Sequence, residues 1–348
     1  MLEPSPFLLW ETSLTLRTGG GHSSNPSLAN FPQARQPSAF LEYGGDLMFF
    51  RLPTETDSAY LLFSGDNREY LDADNIPGEQ NFLALAQYLH ESPSWWKSGA
   101  TVSYIYVNQF LDLSEIDSGI GTAQIQGNTI NFRPSFGATW SPQWNVLLEL
   151  PINRQQFSNT TGDFTDYGPV LSLNRVLPRG SQATLSYTWN HRAYDDTPMR
   201  TSEGAAIPGS LATLLYNHVN LRWQQHWDEQ KRWTTTARLG FTTARDDGSG
   251  YYDFNRYRAS GTVRYRIGRW SALAEGGGTW TDYRVQTVAL GDDALRSIQN
   301  LFASIRLEWN LWRELIWNVN FAWDSSVGNV ALDSYLVRTL STGVEWEF

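Results

Sequence analysis

The chain has no cysteine. Disulfide frameworks, zinc–thiolate sites and thiol nucleophiles are therefore excluded, although the compartment is not fixed by that absence. No apolar run approaches the ~18 residues of a membrane-spanning helix. With a mean hydropathy of −0.41, helix-scale hydropathy alone reads the chain as soluble. The opening MLEPSPF has neither a basic segment nor an apolar core, so no signal peptide is read there. That leaves a cytosolic protein or a mature chain with a starting Met. Basic residues are the minority, 26 against 36 acids, and the net charge of −10 weighs against nucleic-acid binding. Sustained helical periodicity is missing as well.

Aromatic residues and glycine are abundant: 16 Trp, 14% aromatics and 28 Gly in 348 residues. The hydropathy pattern has a period of two almost everywhere. In WNVLLEL, Trp144, Val146, Leu148 and Leu150 share one face, with Asn145 and Glu149 on the other. ATLSYTW sets Ala183, Leu185, Tyr187 and Trp189 opposite Thr184, Ser186 and Thr188. IWNVNFAW repeats the pattern with Trp317, Val319, Phe321 and Trp323. Alternation of this kind predicts strands with one apolar face.

Sixteen such segments are read, near 8–18, 39–51, 59–68, 80–90, 98–111, 129–140, 144–156, 166–176, 182–193, 214–226, 233–244, 255–267, 270–284, 299–310, 315–324 and 334–348. Short connectors such as SPQ (141–143) and GR (268–269) alternate with long ones rich in Gly, Asp, Asn and Ser. The stretch from GGG (19–21) to Gln36 reads as one of the long loops. No repeat, linker or compositional break interrupts the run, so residues 1–348 are read as a single domain.

A soluble sandwich or β-solenoid is the competing reading. Three features weigh against it. The strands exceed the usual ~5–6 residues of globular sheets, and the two-faced pattern persists in every one. The indoles are also gathered: Trp95, Trp96, Trp140, Trp144, Trp227, Trp233, Trp270, Trp309, Trp312, Trp317 and Trp346 lie by short turns or at the C-terminus. A membrane interface explains that gathering, because the ring sits in acyl chain while the N–H meets headgroups. In lipid every backbone polar group needs an internal partner, so the sheet must close. The predicted fold class is all-β: a closed, antiparallel, up-and-down transmembrane barrel of about sixteen strands, with both termini periplasmic.

The chain thus resembles Gram-negative outer-membrane β-barrels over essentially its whole length, and its strand count is similar to that of general porins. Its ending, LSTGVEWEF, resembles the C-terminal signal read by the barrel-assembly machinery. The matching positions are Phe348 as terminal aromatic with Leu340, Val344 and Trp346 on the same face. The stretch DDGSGYYDFNRYRASGTVRYR is similar to barrels that close bacterial proteins with N-terminal tetratricopeptide repeats; no such repeats occur here. The resemblance implies the cell outer membrane, with membrane lipid, lipopolysaccharide and the barrel-assembly machinery as partners. It implies a porin-like channel for small hydrophilic solutes or ions. The alternative is the barrel conduit of an export system for polypeptide or polysaccharide.

If Phe348 faces lipid, the opposite phase faces the lumen. Carried around the barrel, it places Glu11, Arg17, Glu42, Asp46, Arg133, Glu149, Arg192, Arg222, Arg238, Arg258, Arg264, Glu275, Arg306, Glu308 and Glu345 inside. Arginines dominate strands nine to twelve. Acids dominate the seam of strands sixteen, one and two, namely Glu345, Glu11, Glu42 and Asp46. A basic arc facing an acidic arc sets a transverse field that acts on ions and dipolar solutes. Equally, these groups could pair along the wall and stiffen it; Arg264 and Glu275 are candidates to meet across their hairpin. By its position after strand five, LSEIDSGIGTAQIQGN resembles a porin constriction loop, with Glu115 and Asp117 at the narrowest point. The longest loop, 193–213, could act as a plug.

Five His have no metal-ligand spacing, and DDGSGYYD lacks that of a defined calcium loop. GGG has no lysine for a phosphate cradle, and no signature singles out a nucleophilic Ser. No catalytic set, metal or cofactor is expected, and the chain is not read as an enzyme.

Overall fold

Among the described residues of the computed structural model, every regular element is a strand apart from two single-turn 3-10 helices. The structure describes residues 10–30, 35–51, 56–73, 76, 78–112, 122–158, 162–288 and 293–348. The strands are β1 (Trp10–Ser23), β2 (Ser38–Arg51), β3 (Asp57–Tyr70), β4 (Glu79–Glu91), β5 (Trp96–Asp112), β6 (Thr122–Ser141), β7 (Trp144–Glu149), β8 (Ile152–Phe157) and β9 (Phe164–Tyr167). They continue with β10 (Val170–Val176), β11 (Gln182–Tyr194), β12 (Thr213–His226), β13 (Trp233–Asp246), β14 (Phe254–Ile267), β15 (Trp270–Thr287), β16 (Leu295–Asn310), β17 (Leu315–Gly328) and β18 (Tyr335–Glu347). β7 and β8 are two halves of one wall strand, as are β9 and β10. The wall therefore has the sixteen strands that the alternation predicts.

All neighbours are antiparallel, and β18 returns to β1 from Thr15↔Glu347 to Ser23↔Thr339. At the end of that seam the Phe348 N–H donates to the Leu14 carbonyl at 2.8 Å. Closure leaves no free sheet edge. Prolines cause both breaks in the wall. Leu150 N–H donates to Pro134 O at 3.0 Å, Gly168 N–H to Pro151 O at 3.4 Å, and Trp189 N–H to Pro169 O at 3.1 Å. The reciprocal bond fails at each pair because proline has no N–H.

The alternation sorts residue size as well as polarity. Leu41, Phe63, Phe82, Val102, Phe132, Leu185, Leu239, Ile305, Phe321 and Leu340 all point away from the lumen and are exposed. An apolar band encircling the wall is far larger than the few hundred Å² tolerated on soluble proteins. At the short-turn end it meets ring pairs: Trp140 on Trp144 at 6.2 Å, Trp270 on Trp309 at 5.2 Å and Trp346 on Phe348 at 5.0 Å.

Several strands outrun their sequence signal at the long-loop end. β1 continues through GGG to Ser23, β6 starts at Thr122, and β16 starts at Leu295. GGG is wall rather than loop. A Cβ on Gly21 would lie 2.6 Å from the Phe40 ring and 2.3 Å from Leu340 O. Glycine there makes room for the fully buried Phe40. At most outward positions of these extensions, such as Gly20, His22, Gln124, Gln126 and Ser297, the side chains are small or polar, so the two-residue period fades.

Candidate pore lining

Cross-strand register fixes which charges share the inner face. Leu16, Leu41, Phe82 and their register mates are outward, so the intervening residues are inward. All fifteen charges assigned inward by phase fall on that face. The structure adds Asp66, Arg68, Glu79, Asp166, Arg256 and Arg266, which occupy the same phase on their strands. Alternation within β3 and β4, counted from the outward Phe63 and Phe82, gives the first three the inward phase.

The acidic seam is a mixed network. The Arg17 guanidinium grips Asp46 and also donates to Asp66 Oδ1 at 3.0 Å. Arg68 donates to Glu42 at 3.1 Å and Glu79 at 3.3 Å, with its guanidinium 4.4 Å above the Phe40 ring. Arg306 lies 2.8 Å from Glu308 and 3.5 Å from Glu345. Each arginine bridges two carboxylates, and two of the bridges reach past a neighbouring strand. The network borders a concavity of about 390 Å³ lined by Arg17, Glu42, Asp66, Arg68, Arg306 and Glu345. Glu11 lies inward at the start of β1, directly opposite Phe50.

The opposite wall is different. Arg192 is held by Asp166 at 3.0 Å and stacks 3.8 Å over Phe164. Arg133 lies 3.8 Å from Glu149. Glu275 faces Arg238 on β13 at 3.7 Å, two strands away. It does not meet Arg264 across the hairpin, because register puts Arg264 opposite Leu273 and Glu275 opposite Thr262. Among the described residues, Arg222, Arg258, Arg264 and Arg266 have no carboxylate within ion-pair distance. Arg222 donates only to Gln224, at 3.1 Å. None of the ion pairs named here crosses the lumen.

The inner face also carries an apolar strip that charge-counting passes over. Met48, Leu62 and Leu85 stand in register across β2, β3 and β4 toward the short-turn end. At the other mouth, the segment after β11 packs on the β13–β14 loop. Arg200 Nε donates to the Tyr252 hydroxyl at 3.1 Å, and Ser249 Oγ to Arg200 O at 2.7 Å. These loops cover Tyr194, Leu214, Tyr251 and Tyr252 on the basic side. Nearby, Arg296 and Asp333 are almost fully buried and doubly bonded, at 2.8 and 2.6 Å. Gln286 accepts from the same guanidinium at 2.8 Å and donates to Tyr251 O at 3.0 Å, tying three loops together.

The constriction-loop residues Glu115 and Asp117 lie outside the described residues. The acids of DDGSGYYD cap their own turn: the Asp246 carboxylate accepts from the N–H groups of Gly248, Gly250 and Tyr252. Burial raises the Asp253 pKa. On the short turn after β12, the Arg232 N–H and then the Trp233 N–H hold Asp228 below the usual carboxylate range. Leu340, Trp346 and Phe348 are exposed on the outer face, and Val344 shares their phase.

No family model matches the chain, and no curated protein matches it. Among solved structures it is similar to OccAB1 of Acinetobacter baumannii, with a TM-score of 0.51 at 9% identity, covering 97% of this chain and 96% of that one. OccAB4 of the same organism aligns at 0.51 and 8% identity, covering 99% and 100%. At these identities the likeness shows the shared closed-barrel fold.

Proposed function

We propose that the chain is a porin-like channel of the Gram-negative outer membrane through which small hydrophilic solutes or ions pass passively. The observation that carries this reading is a closed wall of sixteen strands, apolar outside and charged inside. Walls of ~16–18 strands enclose an aqueous lumen, whereas ~8 strands are filled by their own side chains. The outer band matches lipid, and the stacked indoles match the interface. Residues 1–348 act as one barrel domain, as a conduit and not as an enzyme. Membrane lipid and lipopolysaccharide surround it, and the barrel-assembly machinery reads Leu340, Val344, Trp346 and Phe348. Inside, the basic arc of β12–β14 faces the seam around β1, so a dipolar solute is turned as it passes. Purified protein in planar bilayers is expected to give discrete conductance steps. A folded, heat-modifiable barrel that stays silent overturns the reading.

A further inference from the structure

At the short-turn end of β12–β14 the inner wall holds a pocket of about 320 Å³. Five cations line it: Arg222, Lys231, Arg238, Arg264 and Arg266. Arg222 stands directly opposite Arg238 in the cross-strand register. Like charges so placed destabilise a sheet. Arg264 and Arg266 add two more guanidiniums on the same face of β14. Lys231 comes from the adjoining turn, where its φ of 53° is uncommon for a side-chain-bearing residue. Among the described residues, Glu275 is the carboxylate that pairs with the group, 3.7 Å from Arg238, while Glu308, in the register row of Arg266 two strands away, is held by Arg306 at 2.8 Å. Asp228 is engaged by the backbone N–H groups of its own turn. On the seam Arg17, Arg68 and Arg306 each meet two carboxylates; here, among the described residues, Arg222, Arg264 and Arg266 meet none.

We propose that this pocket is a binding site for an oligophosphate anion, with pyrophosphate and tripolyphosphate as its simplest occupants. A single monovalent anion would leave most of the repulsion in place. A chain of phosphates offers charge spread over several oxygens, and each guanidinium presents a planar fork of donors suited to them. Hydroxyls of Thr236 and Thr262, in register with each other between the arginines, supply short neutral donors. The site deepens the channel reading, since the lumen is its route of access, but occupancy is measured separately from conduction.

The test is calorimetric titration of the detergent-folded barrel with tripolyphosphate, and orthophosphate and citrate as comparators. Tripolyphosphate is expected to bind saturably and more tightly than either, with affinity falling as salt rises. Arg264→Gln/Arg266→Gln should weaken it by at least about tenfold, the scale of losing charge-assisted bonds. Arg264→Lys/Arg266→Lys should fall between, because charge remains while the forks are lost. Arg338→Gln, on the outer face of β18, removes a positive charge away from the pocket and should leave binding intact. Heat-modifiable gel mobility checks that each variant is folded. Equal affinity for citrate, or equal losses in the Arg338 variant, would overturn the phosphate site. Conductance without binding rejects the site alone; binding without conductance rejects the channel reading alone.

Discussion

The two walls of the lumen use the same residue in opposite ways. On the seam of β16, β18 and β1–β4, Arg17, Arg68 and Arg306 each join two carboxylates. On β12–β14, Arg222, Arg258, Arg264 and Arg266 stand without carboxylates in ion-pair distance among the described residues. An arginine of the first kind is held by its neighbours and cancels their field. One of the second kind leaves its field open to the lumen. Inward phase alone is the same for both, so phase identifies lumen residues without saying which of them act on a solute.

The contrast is broken most severely at its fully paired extreme. Arg296 and Asp333 have side-chain exposures of 2% and 1%. Replacing Arg296 with Met keeps bulk but strands a buried carboxylate. A loss of about 3–5 kcal/mol is expected, the cost of removing one member of a buried pair. Urea unfolding in micelles, followed by tryptophan fluorescence, measures it. Protease cleavage between residues 247 and 253 should rise with it, because Gln286 loses the partner that orients it toward Tyr251. A change below about 1 kcal/mol, the scale of an exposed pair, would show the pair to be dispensable.

Arg68 is the intermediate case, with a side chain one-third exposed at 33%. Truncation to Ala leaves Glu42 and Glu79 facing each other and uncovers Phe40. Partial water access lowers the cost to about 1–3 kcal/mol. Selectivity should move toward cations, since two carboxylates are released. Arg258→Gln is the matching substitution on the other wall. Stability should stay within about 0.5 kcal/mol, as for surface changes away from a network. Its bilayer reversal potential should still shift toward cations. If Arg258→Gln destabilises as much as Arg68→Ala, the two walls do not differ in the way described.

What the sequence could disclose follows from the ranges of the forces involved. A two-residue period depends on each residue's own side chain, so Leu148, Leu185 and Phe321 mark their strands directly. Inward phase extends from there to Arg17, Glu42 and Arg306. Pairing depends on stagger between strands, which no single segment encodes. Arg17 finds Asp66, Arg238 finds Glu275 and Arg306 finds Glu345 by reaching past a neighbour. The expected Arg264–Glu275 contact failed for that reason: a two-residue turn aligns Glu275 with Thr262. Long-loop extensions were hidden too, because GGG carries no side chains to alternate. Packing of Tyr251 and Tyr252 over the mouth depends on loops from three hairpins, beyond any local pattern.

The smallest effect lies in the turns beneath the basic wall. Asp228 caps the turn after β12 by accepting from the N–H groups of Arg232 and Trp233. Those bonds hold its pKa below the ordinary value, which is ~3.9 in an unfolded chain. A depressed folded pKa contributes stability above the unfolded value and loses it as pH falls through the folded one. The turn after β14, Gly268–Arg269, has no carboxylate cap. Lowering the pH from 6 to 3 should therefore speed amide exchange at Arg232 and Trp233, after correction for intrinsic rates, and leave the second turn unchanged. Asp228→Asn keeps an acceptor that does not titrate, so its exchange should lose this pH dependence. Equal acceleration in both turns would mean that acid acts on the whole wall rather than on this cap, and Lys231 would then owe its place in the pocket to something other than Asp228.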